Sequence, residues 1–133
     1  MTSPKGRILC TEDDADTREL IVFILQAEGY EVICADKAEK AISLAKTQPF
    51  DLYLVDSWLP NSSGANLTRR IREFDSKTPI LFYSAAAYEA DKASARNAGA
   101  QAYLVKPAEN EELVAEVLRL IAESKVIKPT RVL

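Results

Sequence analysis

Short apolar runs alternate with segments of helical periodicity five times along this chain. The runs predict five β-strands, at Arg7–Cys10, Glu31–Ala35, Leu52–Val55, Ile80–Tyr83 and Ala102–Val105. Most of them are apolar on both faces, as a parallel sheet covered by helices requires. The other segments predict helices near Ala15–Glu28, Lys37–Thr47, Ala65–Phe74, Glu89–Ala98 and Glu111–Glu123. Alternating strands and helices with short connections predict a doubly wound α/β domain with right-handed crossovers.

Residues at the helix ends agree with this interpretation. Gly29 and Gly99 follow predicted helices, where a residue with left-handed backbone geometry is favoured. Asp36, Ser63 and Asn110 precede or open predicted helices and are candidate N-caps, because their side chains can accept hydrogen bonds from free backbone N–H groups.

The first predicted helix has apolar residues on two sides. Helical spacing places an inward stripe at Leu20, Ile21, Ile24 and Ala27. Val22 then points away from the stripe and Phe23 lies at its boundary. One or two exposed apolar residues are normal on a protein surface. The alternative is a surface that docks another protein, or a second copy of the chain in a homodimer.

Length and composition fit one domain of ordinary character. With 133 residues, the chain is long enough to bury a core, and we expect residues 1–124 to form the domain and residues 125–133 a short tail. The longest apolar run, Leu20–Leu25, is too short to span a bilayer. The N-terminus lacks the apolar core of a signal peptide, so we expect a cytoplasmic protein without a membrane partner. A net charge of −3 argues against direct binding of nucleic acid.

Several kinds of site are excluded or disfavoured by composition. The chain contains no histidine, which removes Ser-His and Cys-His catalysis and histidine-ligated zinc. The four glycines are scattered, so no glycine-rich phosphate loop indicates a nucleotide or flavin. Cys10 and Cys34 fall inside predicted strands, where buried free thiols are the expectation for a reducing compartment. A disulfide between the two cysteines is the alternative if those strands are neighbours.

Charged residues follow three of the five predicted strands. Glu12 and Asp13 come just after the first, Asp56 ends the third, and Lys106 follows the fifth. The carboxyl ends of parallel strands share one edge of a sheet, so these groups should converge there. Mg²⁺ prefers such oxygen ligands, and a cation would relieve the repulsion among three carboxylates. Such a site could use Asp56 as a nucleophile that accepts a phosphoryl group as an acyl phosphate.

Several segments of the chain, taken in order, resemble the CheY-like receiver domain of two-component response regulators. The matching segments extend over essentially the whole chain to about Glu123: Ile8–Asp13, Asp51–Asp56, Leu59-Pro60 with Gly64, Pro79–Ala85 and Gly99–Pro107. The resemblance implies the flavodoxin-like fold with strand order 2-1-3-4-5. It also implies a single-domain response regulator that controls a downstream protein effector by docking.

The resemblance further implies roles for particular residues. Asp56 would be the phosphoacceptor, charged from a phosphohistidine of a sensor histidine kinase or a phosphotransfer protein. Lys106 would pair with Asp56 or its phosphoryl group, and the Ser84 hydroxyl would bind a phosphoryl oxygen. The implied Mg²⁺ site consists of Glu12, acting through a bound water, with Asp13, Asp56 and the main-chain carbonyl of Trp58. The protein would be a signalling phosphoacceptor that catalyses its own phosphorylation and dephosphorylation, and not an enzyme acting on a separate substrate.

Ser84 and Tyr103 form the implied switch, and we call them the switch pair. New charge on Asp56 would draw the Ser84 hydroxyl toward it, and Tyr103 would swing inward and alter the surface that a partner binds. An aromatic residue in an apolar strand is usually core, so the role of Tyr103 depends on its place between Ser84 and Lys106.

Two alternatives compete with a phosphorylated receiver. A degenerate receiver would keep the fold and act only as a protein-binding module, although the full acidic set argues against it. A phosphatase of the haloacid-dehalogenase type would need a second aspartate two residues after the nucleophile, where Trp58 stands. Trp58 could also shield the acyl phosphate from water while Ala86 admits water, so the sequence leaves its lifetime open.

Overall fold

The computed structural model describes residues 3–126, which form a parallel sheet between two layers of helices. The strands are β1 (Arg7–Thr11), β2 (Glu31–Ala35), β3 (Leu52–Val55), β4 (Trp58–Leu59), β5 (Ser62–Ser63), β6 (Ile80–Ser84) and β7 (Ala102–Val105). The helices are α1 (Ala15–Ala27), α2 (Ala38–Thr47), α3 (Gly64–Arg72), α4 (Glu89–Ala98) and α5 (Asn110–Ser124). The predicted tail lies outside the described residues from position 127 onward, so the domain boundary at 124 stays a prediction.

The five long strands form one parallel sheet in the order β2-β1-β3-β6-β7. With the short strands left out, this is the predicted order 2-1-3-4-5, which is confirmed. The sequence did not predict β4 and β5, which pair as a small antiparallel hairpin. Two-residue strands are too short to give a periodic pattern. Asn61, in the turn between them, has a positive φ of 55°.

Alternate residues of each strand enter two separate cores, one on each face of the sheet. On one face, Ile8, Leu52 and Leu81 pack with buried residues of α1 and α5. On the other face, Tyr53 and Phe82 pack with buried residues of α2, α3 and α4. Both faces of the sheet are therefore buried, which explains the nearly continuous apolar runs in the sequence. Among the described residues, none of the helices combines the length and the apolar character needed to cross a membrane.

The predicted helix ends are confirmed in part. Gly29 and Gly99 have φ values of +98° and +122°, and the Ser63 side chain caps α3 by accepting a backbone N–H. The other two caps are wrong by one residue, because Asp36 lies just before the cap of α2 and Asn110 is the first residue of α5. Neither of those helices has a side-chain cap, so burial of its apolar face sets where it begins.

The predicted inward stripe of α1 is confirmed in part. Ile21 and Ile24 are buried as expected, together with Leu25. Leu20 is 54% exposed, so its assignment to the core was wrong, and Ala27 is exposed as well. Phe23 is 72% exposed and lies three residues from Leu20, on the outward side of the helix.

The two cysteines are paired across neighbouring strands. Cys10 of β1 and Cys34 of β2 are register partners, and both are free thiols. Cys10 is buried, whereas Cys34 is half-buried. A hydrogen bond from the Cys10 thiol lowers the pKa of Cys34 to about 7, and the same contact raises the pKa of Cys10. The expectation of free thiols is confirmed, whereas the expected burial is confirmed for Cys10 and wrong for Cys34.

A carboxylate after α3 satisfies a buried hydroxyl of the sheet. Tyr53 is buried, and its hydroxyl donates to Asp75 Oδ2 over 2.9 Å. Asp75 Oδ1 also accepts the backbone N–H groups of Lys77 and Thr78, each at 3.0 Å. Burial alone would raise the pKa of Asp75, but these hydrogen bonds outweigh it and lower the pKa. The carboxylate thus ties the turn after α3 to the core.

We expect Asp75→Ala to lower the free energy of unfolding by about 1–3 kcal/mol, because the Tyr53 hydroxyl loses its acceptor. The measurement is urea denaturation near neutral pH. Since the folded-state pKa of Asp75 is lowered, its stabilisation is present above the unfolded value and is lost as the pH falls through the folded value. Tyr53→Phe is the control, and the loss from Asp75→Ala should be smaller in that background. An equal loss in both backgrounds would contradict this role for the hydroxyl.

Candidate functional site

Backbone hydrogen bonds continue one residue beyond the strands and fix the charged residues at one edge of the sheet. The N–H of Asp56 donates to the Thr11 carbonyl over 3.1 Å, and the N–H of Lys106 donates to the Ser84 carbonyl over 2.8 Å. The N–H of Glu12 donates to the carbonyl of Ala35 in β2 over 3.0 Å. The sheet therefore sets the positions of these side chains, as strand order and register predict.

Three carboxylates converge at this edge. Glu12, Asp13 and Asp56 each offer an oxygen within 4.8 Å of the others. Glu12 and Asp56 are 2% and 8% exposed, whereas Asp13 is exposed to solvent. The donor set consists of hard oxygen atoms and is open on the solvent side, which fits a Mg²⁺-like cation that keeps several waters. The predicted convergence is present.

Lys106 lies closer to Glu12 than to the expected partner. Its Nζ is 2.5 Å from Glu12 Oε1 and 3.7 Å from Asp56 Oδ1. Burial raises the pKa of Glu12, and the charge of Asp56 raises it further against the opposing effect of Lys106. Burial disfavours the charge of Lys106, but its bond to Glu12 and the charge of Asp56 outweigh burial and raise its pKa. The ammonium group therefore neutralises a crowded acidic pair.

We expect Lys106→Met to strengthen Mg²⁺ binding by roughly tenfold, because the variant removes a positive charge that competes for Glu12. The fluorescence of Trp58, the single tryptophan of the sequence, can report the titration. Lys92→Met is the matched control, since Lys92 forms an ion pair with Glu89 on α4. Unchanged or weaker Mg²⁺ binding in Lys106→Met would contradict this competition.

The two residues of the switch pair meet at the loop that follows β6. Ser84 is buried, and its Oγ accepts the N–H of Ala86 over 3.1 Å. The Tyr103 hydroxyl donates to the Ala86 carbonyl over 2.5 Å and lies 3.1 Å from Ser57 Oγ. The Tyr103 ring stacks on Phe82 with centroids 5.6 Å apart. Tyr103 is thus turned inward, toward the loop that carries the phosphoacceptor candidate.

Sequence reasoning missed Ser57 as part of this site. A single serine in a loop has no periodicity or spacing that marks it, and its position directly after Asp56 was the only signal. Its contact with Tyr103 joins the loop after β3 to strand β7, 46 residues away in sequence.

Trp58 and the hairpin form the outer rim of the site. The Trp58 side chain is 63% exposed and lines a cleft of about 180 Å³ together with Ser57, Asp91 and Ser94. The N–H of Gly64 donates to the Ser57 carbonyl over 2.9 Å, which ties the start of α3 to the Asp56 loop. The predicted role of the Trp58 carbonyl as a metal ligand stays a prediction.

Comparisons with known proteins agree on one family. Residues 8–118 match the response regulator receiver domain family. The chain is 35% identical over 119 residues to the cell cycle response regulator CtrA of Brucella ovis, covering 90% of this chain and 51% of that protein. The chain spans about half the length of the curated relatives it matches.

Two solved structures share the fold closely. One is the receiver domain of the sensor histidine kinase PA1611 of Pseudomonas aeruginosa, with magnesium coordinated in its active-site cleft. It is 31% identical with a TM-score of 0.83, covering 88% of this chain and 98% of that one. The other is a CheY-like receiver domain protein of Methanospirillum hungatei. It is 27% identical with a TM-score of 0.87, covering 93% of this chain and 98% of that one.

Proposed function

The chain belongs to the response regulator receiver domain family, and from this premise we propose that Asp56 accepts a phosphoryl group from a phosphohistidine in a Mg²⁺-dependent reaction. The observation that carries the proposal is the convergence of Glu12, Asp13 and Asp56 within 4.8 Å, with Lys106 beside them. A module that only binds proteins needs no such set of crowded, buried charges.

The proposed reaction uses the Asp56 carboxylate as nucleophile. A carboxylate oxygen forms a bond to phosphorus as the phosphorus–nitrogen bond of the donor imidazole breaks, and the electron pair leaves with the ring nitrogen. The N–H of Ser57 donates to Asp56 Oδ1 over 2.8 Å and holds the orientation of the carboxylate. The product is an aspartyl phosphate on this chain and a free histidine on the donor.

The remaining charged residues neutralise the phosphoryl group. Glu12, Asp13 and Asp56 would hold Mg²⁺, which would supply positive charge to offset the negative charge of the phosphoryl group. Lys106, 3.7 Å from Asp56, can reach one of these oxygens by a small side-chain movement. The Ser84 hydroxyl lies at the end of β6 and would exchange its bond with the Ala86 N–H for one with a phosphoryl oxygen.

We propose that the donor is a sensor histidine kinase or a histidine phosphotransfer protein, and that the phosphorylated state binds a downstream protein effector. The outward side of α1, with Leu20 and Phe23, supplies an exposed apolar surface for the phosphodonor. Val22, which the sequence pattern placed farthest from the buried stripe, is half-buried, whereas Phe23, placed at the boundary, is the more exposed of the two.

Phe23→Glu is expected to slow phosphotransfer from a phosphodonor protein by about tenfold, since a charge would enter the apolar contact. Phosphorylation by the small donor acetyl phosphate should keep its rate, because that donor needs no docking surface. The two rates can be compared by intact-mass spectrometry, with Glu19→Gln as a control on the same helix. Equal transfer from the protein donor in wild type and Phe23→Glu would remove this surface from the proposal.

The proposed function is tested with acetyl phosphate and Mg²⁺, using intact mass as the readout. We expect a single phosphoryl adduct that disappears when EDTA removes the cation. Beryllofluoride, a stable mimic of the phosphoryl group, should change Trp58 fluorescence even if the acyl phosphate is short-lived. Failure of both measurements would overturn the proposal and favour a degenerate receiver that only binds proteins.

A further inference from the structure

A chain of hydrogen bonds joins the phosphoacceptor candidate to the switch pair, and Ser57 lies within it. The Ser57 N–H donates to Asp56 Oδ1 over 2.8 Å, and Ser57 Oγ is 3.1 Å from the Tyr103 hydroxyl. The Tyr103 hydroxyl donates to the Ala86 carbonyl over 2.5 Å, and the Ala86 N–H donates to Ser84 Oγ over 3.1 Å. The path thus connects Asp56 with Ser84 through Ser57, the Tyr103 side chain and the main chain of Ala86.

Hydrogen-bond chemistry fixes the direction of the central contact. A backbone carbonyl can only accept, so the single hydroxyl proton of Tyr103 goes to Ala86. The contact between Ser57 and Tyr103 therefore requires the Ser57 hydroxyl as the donor. A residue that cannot donate, such as alanine, would leave Tyr103 with only the Ala86 carbonyl.

Packing alone leaves the inward position of Tyr103 incompletely fixed. Its ring is stacked on the buried ring of Phe82, with an angle of 18° between the planes, but the residue is only half-buried. Stacking sets the plane of the ring, whereas the two polar contacts hold the hydroxyl end. Ser57 supplies one of these two contacts from the residue next to Asp56.

We propose that Ser57 is a positioning residue that holds Tyr103 inward in the unphosphorylated protein. Through its backbone N–H and its hydroxyl, Ser57 makes the carboxylate of Asp56 and the ring of Tyr103 parts of one bonded unit. The inward arrangement is then already populated before phosphorylation, and the phosphoryl group stabilises a state that exists. The consequence for phosphorylation rests on the proposed function, whereas the position of Tyr103 does not.

The expected effect of removing the Ser57 hydroxyl is that of losing one neutral hydrogen bond. Its loss should change the ratio of inward to outward Tyr103 by roughly threefold to tenfold. Because phosphorylation favours the inward arrangement, the rate of adduct formation with acetyl phosphate should also fall, by less than this factor, since the rate follows the inward fraction and not the ratio.

The direct test places fluorotyrosine at the tyrosines and follows their fluorine NMR signals. The sequence contains five tyrosines, and the signal lost in Tyr103→Phe identifies Tyr103. Tyr88, which is exposed, supplies a solvent reference in the same spectrum. Spectra of wild type, Ser57→Ala and Ser57→Thr are recorded with Mg²⁺, before and after beryllofluoride.

We expect the wild-type Tyr103 signal to lie at its buried position before beryllofluoride and to move little afterwards. Ser57→Ala should move it toward the solvent reference, and beryllofluoride should bring it back. Ser57→Thr keeps the donor and should restore both the signal and the rate. Ser94→Ala, a serine that lines the same cleft from α4, should behave as wild type.

If the Tyr103 signal of Ser57→Ala lies at the wild-type position before beryllofluoride is added, the proposal is overturned, whatever the rates of adduct formation are. A signal that moves in Ser57→Ala and is not restored by Ser57→Thr would also overturn it, since packing rather than donation would be responsible. If wild type binds no beryllofluoride and takes no phosphoryl group, the proposed function fails. The spectra of the free proteins would still decide the role of Ser57.

Discussion

Asp56→Asn is expected to abolish the phosphoryl adduct formed with acetyl phosphate and Mg²⁺. An amide keeps the shape of the side chain but lacks the nucleophilic carboxylate oxygen, so the rate should fall by several orders of magnitude. The fold should be retained, because the amide oxygen can still accept the N–H of Ser57 that now donates to Asp56 Oδ1. Loss of one of the crowded charges should also ease the burial of Glu12, whose pKa Asp56 raises.

The measurement is intact mass over time, with a denaturation curve to confirm folding. Asp51→Asn is the matched control, since Asp51 lies just before β3, at the opposite end of the strand from Asp56. Its carboxylate accepts the Arg7 N–H over 2.7 Å, so the control also perturbs a hydrogen bond. Adduct formation should persist in Asp51→Asn. An adduct of wild-type yield in Asp56→Asn would place the phosphoacceptor on another residue.

Gly64→Ala is expected to have the second large effect, on stability and phosphorylation together. A β-carbon at this position would lie 2.3 Å from the Asp56 carbonyl oxygen and 2.9 Å from side-chain atoms of Val55 and Phe82. The nearest atom is main chain and cannot turn aside, so the start of α3 or the Asp56 loop must move. We expect a loss of about 3 kcal/mol in the free energy of unfolding.

The same movement should slow adduct formation, because it displaces the loop that orients Asp56. Gly6→Ala is the matched control, since its nearest neighbour would be the Asp51 carboxylate at 3.1 Å, a side chain that can give way. Neither glycine has a positive φ, so the comparison isolates steric contact from backbone preference. Urea denaturation and intact mass give the two readouts. Wild-type stability in Gly64→Ala would show that the α3 start is free to shift.

The sequence was sufficient for the parts of the fold that depend on repeated patterns. Five apolar runs predicted the parallel strands within one residue at each end, because burial of both sheet faces leaves a continuous signal. The strand order came from the resemblance to receiver domains, whereas the edge shared by Glu12, Asp56 and Lys106 came from the geometry of parallel sheets. These features depend on many residues at once, so single exceptions do not hide them.

Features that depend on one residue or one rotamer could not be predicted in this way. The hairpin of β4 and β5 has too few residues for a pattern, and the burial of Leu25 in place of Leu20 depends on how α1 is rotated on the sheet. The choice of Glu12 over Asp56 by Lys106 depends on distances of a few ångströms between side chains. The donor role of Ser57 required the position of the Tyr103 hydroxyl.

The ion pair between Lys106 and Glu12 also fixes a sequence of events at this edge of the sheet. Glu12, Asp13 and Asp56 would hold a cation together, and its positive charge would compete with the Lys106 ammonium group for Glu12. The released Nζ starts only 3.7 Å from Asp56 and can turn to that side. On the proposed function, readiness to receive a phosphoryl group would follow cation arrival, and the free concentration of Mg²⁺ would be a precondition for signalling and not only for the rate of the reaction.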